Sequence, residues 1–201
     1  MRILLPLFFL LATHQLLSQV SSKKHEITIS SSQFSILGST NVNQFECELI
    51  DYIPADTFDI QSKWDTKSIH FDNLKLSYPV GAFDCGLEVM NHDMQVLLQS
   101  KKYPTLTLHI KQINLNKNQV AIETLYVNSL VDLTVGGVKR EVTVSDGVVT
   151  NHSESSLTFS GVVNINMTDF GLEPPVKFLG MVQVNEKLTV KFAVRMEVNT
   201  L

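Results

Sequence analysis

The sequence predicts an all-β domain. Two observations carry that reading, and a third refines it. After residue 25, apolar and polar residues alternate with a period of two along several runs, the pattern of strands with one buried face. Turn-forming residues separate these runs at fairly even spacing, as in a barrel or a sandwich. Only one segment follows a helical period instead. The 201 residues suit one domain, or at most two small ones, and no internal boundary is visible.

Residues 1–20 read as an export leader. Met1-Arg2 gives a short positive start and Ile3 to Leu11 an apolar run broken by Pro6. Thr13, His14 and Gln15 follow before the small Ser18. The run is shorter than the ~20 apolar residues of a membrane-spanning helix. Cleavage is expected near Ser18 to Ser22, with residues 21–201 forming the mature domain. No second apolar run of spanning length follows, so no transmembrane segment is expected in the mature chain. The destination is a periplasm, with full secretion left open.

The strands then read in chain order. Ile69 and Phe71 give way to Leu74, Leu76 and Tyr78, a change of apolar phase that points to a bulge near Asp72-Asn73. Leu106, Leu108 and Ile110 face in, with Thr107, His109 and Lys111 facing out. Asn116-Lys117-Asn118 suits a turn. The next run is Leu125, Val127, Ser129, Val131, Leu133 and Val135. Gly136-Gly137 follows and suits a two-residue hairpin, because both glycines can take positive φ. Asn151-His152-Ser153-Glu154-Ser155 reads as a longer polar loop. Leu157, Phe159, Gly161, Val163, Ile165 and Met167 share one phase. After a turn at Asn185-Glu186, Leu188, Val190, Phe192, Val194, Met196 and Val198 form the cleanest alternation of all. The total is about eight strands. Pattern alone does not choose between a closed barrel and a sandwich.

The helical exception is Met90, Met94, Leu97 and Leu98, spaced i, i+4, i+7 and i+8. Asn91 is expected to cap its start, with Asp93 in the first turn and Lys101 and Lys102 in the last. Pro104 stops the helix and extends Tyr103.

Two cysteines occur, Cys47 and Cys85. In an oxidising compartment an even pair forms a disulfide readily. Closing a loop of about 38 residues is worth roughly 4 kcal/mol on the chain-entropy model. Two free buried thiols are the alternative.

Several function classes are disfavoured. The formal charge is −4 and the 16 basic residues are scattered, so the basic stripe of a nucleic-acid binder is missing. His25, His70, His92, His109 and His152 show no metal-binding spacing, and no metal or cofactor is expected. No nucleophile elbow or phosphate loop occurs. Inward-phase Ser129 and Glu123 are the only hints of a polar site inside the fold, so no enzyme activity is expected.

Four stretches together resemble the YceI-like family. They are Phe34 to Phe45, with Gly38 and Asn41 within it; Phe83-Asp84-Cys85-Gly86 with Met90-Asn91-His92-Asp93-Met94 and Tyr103-Pro104; Gly136-Gly137-Val138-Lys139-Arg140; and Ile165 to Leu172 with Pro174-Pro175. In order and spacing they run from about residue 26 to the C-terminus. The cysteine pair and the Met-rich helix resemble an exported subgroup. The resemblance implies a single extended eight-stranded antiparallel lipocalin-like barrel, with a helix near one end. It also implies a long apolar ligand within, such as a polyisoprenoid or a quinone tail.

An eight-stranded barrel is either filled by side chains or holds one ligand, and both readings stand. If it is open, the expected ligand contacts are Phe34, Ile36, Leu74, Leu76, Met90, Met94, Leu97, Leu108, Ile110, Leu125, Leu133, Phe159, Val163, Ile165, Phe170, Phe178, Phe192 and Met196. Met90, Met94 and Met167 would adapt to an irregular ligand, or the helix would simply plug one end. Phe170, Pro174, Pro175 and Phe178 would form a mouth, or an aromatic docked on the rim. Gly161 would mark a bend, or leave room for ligand. The expected partner is an apolar or isoprenoid lipid, and association as a homodimer is left open. A filled barrel would act instead as a structural or protein-interaction module.

Overall fold

The computed structural model describes residues 21–53, 57–64, 68–116 and 124–200. The leader, the Lys117-Asn118 part of the expected turn, and Glu123 lie outside the described residues. The strands are β1 (Ser21–Ser39), β2 (Gln44–Leu49), β3 (Thr57–Trp64), β4 (Ser68–Pro79) and β5 (Phe83–Asp84). The helix α1 (Glu88–Leu97) comes next. After it run β6 (Thr105–Leu115), β7 (Thr124–Val135), β8 (Val138–Asn151), β9 (Ser156–Asn166), β10 (Val176–Lys177), β11 (Val182–Gln183) and β12 (Lys187–Thr200).

Eight of these strands close into an antiparallel barrel. The order is β1, β12, β9, β8, β7, β6, β4, β3, and back to β1. The alternation thus closes into a barrel, not a sandwich, and closure removes the open edges that invite aggregation. Among the described residues, α1 is the one α-helix.

β1 is long enough to serve two partners along one edge. Its first half, Ser21 to Thr28, pairs with β3, and its last residues, Ser35 to Ser39, pair with β2. β2 in turn pairs with β5. Gly38 lies opposite Phe45 in this hairpin. A Cβ on Gly38 would come within 2.2 Å of the Phe45 ring, so the glycine makes room for it.

The expected bulge in β4 is present, as a register shift between His70 and Leu74 against β6. Gly136 and Gly137 make the β7–β8 turn with φ of 55° and 80°. β8 and β9 pair only over Val148 to Asn151. From Gly161 onward β9 stays with β12 alone, so the wall parts toward one end.

The helix departs from expectation at both ends. It starts at Glu88, with Leu87 at the cap and no side-chain capping bond. Asn91 is already inside it. Its Oδ1 accepts from Cys85 N–H at 2.6 Å, and its Nδ2 donates to Asp84 Oδ1 at 2.9 Å. A helix that begins earlier leaves Asn91 free to anchor the preceding strand. Glu88, not Asp93, is the first-turn acid, and Lys101 and Lys102 lie beyond the last turn. The chain turns at Gln99 with positive φ before Pro104 is reached.

Inside the barrel an aromatic row crosses the lumen. Phe34 of β1 and Tyr78 of β4 have ring centroids 4.5 Å apart. Phe34 stacks on Phe192 of β12 at 5.9 Å, and Phe192 meets Phe159 of β9 edge-on at 5.1 Å. On the strand-end side holding Ser21 and Thr200, the lumen is packed. Ile27, Ile29, Leu74, Val127 and Met196 are buried there.

Candidate ligand-binding cavity

Toward the end that holds α1 the barrel is hollow, and the aromatic row itself lines the cavity. The cavity has a volume of about 480 Å³. Its wall is apolar because each strand continues its inward phase there. β1 contributes Phe34 and Ile36, β4 Leu76 and Tyr78, and β6 Leu106, Leu108 and Ile110. β7 contributes Val131, Leu133 and Val135, β9 Phe159, Val163 and Ile165, and β12 Leu188, Val190, Phe192 and Val194. The volume falls in the ~300–1,000 Å³ range of small-molecule sites.

The helix and two loops shape its mouth. Met90, Met94 and Leu97 of α1 face the cavity, as do Phe170 and Phe178. Met94 Sδ lies 3.8 Å from Cys85 Sγ, so the thioether packs on the Cys47–Cys85 disulfide. That bridge joins β2 to the segment ahead of α1, and both cysteines line the cavity. Asp84 braces the same segment. Its carboxyl is held below the usual carboxylate range by the Asn91 amide and then by Gly86 N–H.

The rim is stitched by polar contacts. Asn41 N–H donates to Gln183 O, Gln183 N–H donates to Asn41 Oδ1, and Asn41 Nδ2 donates to Met181 O, all within 3.0 Å. Lys177 Nζ lies 2.8 Å from Asp93 Oδ1. Phe170 is buried in the wall, whereas Phe178 is 71% exposed and Leu179 projects fully into solvent. Phe178 and Leu179 both hold left-handed backbone, at φ of 52° and 56°. Such strain in non-glycine residues concentrates at functional sites. Val42, Leu87, Val89, Val176 and Met181 are also exposed on these rim segments.

Three of the expected contacts do not line the cavity. Leu74, Leu125 and Met196 share the inward phase of their strands but lie toward the packed end of the lumen. Strand phase gives the face and not the depth along the axis. Ser129 lies on that packed side too, fully buried, with no hydrogen-bond partner for its hydroxyl among the described residues. Gly161 makes room for protein instead of ligand. A Cβ there would fall 2.7 Å from Val144 Cγ1 and 2.9 Å from Phe192 Cζ. Tyr78, Val131, Val135, Leu188, Val190 and Val194 also line the cavity, beyond the expected contacts, although all sit in alternations visible in the sequence. Phe45, Phe83 and Val184 arrive from short strands and loops with too little periodicity to signal an inward face.

A closed antiparallel barrel, half packed and half hollow, with an apolar lumen and one helix at its mouth, defines a lipocalin-like fold. The YceI-like domain matches residues 19–196, and the chain belongs to that family. A polyisoprenoid-binding domain from Saccharophagus degradans, implicated in plant cell wall breakdown, shares the fold with a TM-score of 0.60 and 13% identity. The match covers 87% of this chain and 98% of that one. BcnA from Burkholderia cenocepacia follows, with a TM-score of 0.52 and 20% identity, over 82% of this chain and 95% of that one. No curated protein matches the sequence. No helix among the described residues is long and apolar enough to cross a membrane.

Proposed function

We propose that the protein binds and sequesters an apolar or amphipathic lipid, of the polyisoprenoid or quinone kind, inside its barrel without chemical change. It does so in a periplasm that it reaches through the leader at residues 1–20. The observation that carries this reading is the hollow half of the barrel, about 480 Å³ walled by aliphatic and aromatic side chains. Burying a lipid tail there gains ~25 cal/mol per Å² of apolar surface removed from water, before the costs of association. The polar groups at the cavity are few and sit at its rim, among them Thr40, Asn43, Asp93 and Lys177. That arrangement suits a tail inside and a polar head at the mouth. The isoprenoid class is taken over from the Saccharophagus relative, a polyisoprenoid-binding domain.

The test is native mass spectrometry of the exported protein, purified without detergent. An added mass that extracts into organic solvent supports the carrier reading, and its identity names the lipid. A bare polypeptide that also takes up no prenol or prenylquinone when offered one would sink it. The barrel would then act as a structural or interaction module.

A further inference from the structure

Leu179, Phe178, Met181 and Val42 are the four most exposed large apolar side chains among the described residues. All four stand at the mouth of the cavity. Three are on the tip between β10 and β11, and Val42 is on the turn between β1 and β2. Asn41 holds the two tips together through its three hydrogen bonds to Gln183 and Met181. Leu87 and Val89, at the start of α1, are exposed and also line the cavity, as does Phe178. The apolar surface of the lumen therefore continues out through the mouth onto exposed side chains.

The β10–β11 tip takes this form against its own backbone preference. Phe178, Leu179 and Gly180 hold φ of 52°, 56° and 95° in succession. Bulky side chains adopt such backbone rarely, and a tip that only reversed the chain would favour Asn-Gly. Here the turn instead lifts Leu179 wholly clear of the protein. Charge is nearly absent from both tips. Residues 40–43 carry none, and residues 176–183 carry only Lys177, which Asp93 pairs. A charged partner finds nothing to match there. A projecting, uncharged, apolar tip suits a fluid apolar phase that closes around it.

We propose that this collar docks the protein on a lipid bilayer. Leu179, Phe178, Met181 and Val42 enter the boundary between headgroups and acyl chains, and the mouth of the cavity opens onto the membrane. The role of docking in loading rests on the lipid-binding reading above. A long apolar tail has almost no free concentration in water, so a carrier collects it where it is dissolved. Docking at the mouth lets the tail pass from bilayer to lumen along a continuous apolar surface.

The test is flotation of the purified protein with phosphatidylcholine vesicles. The protein should float with them, and added salt should leave the binding intact, because screening acts on charges. Leu179→Ser combined with Met181→Ser should weaken binding about tenfold or more, since two large apolar side chains no longer leave water. Neither side chain lines the cavity. Uptake of farnesol from cyclodextrin should therefore match the wild type, while uptake from vesicles slows by a similar factor. Val42→Asp, on the other tip, should weaken docking too, and it keeps the surface testable should the double variant fail to fold. A protein that stays off the vesicles yet takes up farnesol from cyclodextrin would overturn docking and leave lipid binding intact. A dimer closed over the collar, seen by analytical ultracentrifugation, would overturn it in the same way. Vesicle binding that salt abolishes, or that neither variant weakens, would overturn the collar as its cause. No uptake of farnesol from either source would remove the lipid-binding reading, and loading with it.

Discussion

Lys177 Nζ lies 2.8 Å from Asp93 Oδ1, and this ion pair ties β10 to α1 across the rim of the cavity. Both side chains are partly exposed, at 46% and 34%. An exposed pair contributes ~0–1 kcal/mol to stability. Asp93→Asn should therefore leave the unfolding midpoint nearly unchanged. Its effect belongs at the mouth, where loss of the tie lowers the barrier to opening. Release of bound cis-parinaric acid, followed by stopped-flow fluorescence, should quicken about two- to fivefold, the kinetic equivalent of up to ~1 kcal/mol. An unchanged release rate would mean that the pair decorates the rim without holding it.

The Cys47–Cys85 bridge closes a loop with a sequence separation of 38. Loop-closure entropy puts its worth at about 4 kcal/mol. Replacing both cysteines by serine should lower the urea midpoint in proportion. A reductant should do the same to the wild type and nothing to the variant. The bridge also supports the seat of Met94, so the double variant should lose ligand affinity as well as stability. A variant with wild-type stability would show that β2 and the start of α1 are held in the unfolded ensemble without the bridge.

Burial pushes the Tyr78 phenol up to about 12, against a smaller opposing pull from the Ser32 hydroxyl, and with Tyr52 adding to the rise. The folded protein thus favours the neutral phenol more than the unfolded chain does, whose tyrosines titrate near 10. The stability contributed by the neutral phenol is intact below pH 10 and is lost as pH rises toward 12. Tyr78→Phe should blunt this alkaline loss. At neutral pH it should cost about 1 kcal/mol through the missing Ser32 bond. Urea titrations at pH 7, 9.5 and 11 check both halves. An equally steep alkaline decline in the variant would place the responsible group elsewhere.

The strand inventory was legible because alternation reports which face of a strand is buried. Leu188 to Val198 and Leu125 to Val135 read directly as barrel wall. The bulge before Leu74 and the Gly136-Gly137 hairpin were legible too, since each has a local cause. Closure was not, because it depends on β1 pairing with β12, the two ends of the described chain. Depth was not legible either. Met196 and Phe192 look equivalent in the alternation, yet one lies in the packed half and the other lines the cavity. The helix start escaped because Asn91 is a good cap in isolation. Its amide instead found Cys85 and Asp84, partners that the fold brings to it.

Gly161 tests how tightly Phe192 is packed in the barrel wall. Its φ needs no glycine, so any cost of a side chain there is steric. The added methyl of Gly161→Ala would fall 2.7 Å from Val144 Cγ1 and 2.9 Å from Phe192 Cζ. Both neighbours are buried core, and neither is the loose end of a flexible chain. Overpacking of this kind costs ~1–3 kcal/mol, a drop of roughly 2–12 °C in Tm for a domain of this size. The strain should concentrate on Phe192, because β9 has already left β8 at this point and Val144 is backed by its own strand. Phe192→Leu removes the far edge of the ring and should restore most of the loss when combined with Gly161→Ala. The two changes would then be strongly non-additive, as expected for residues in contact. Additive losses would mean that the Phe192 ring has room to move and does not carry the strain.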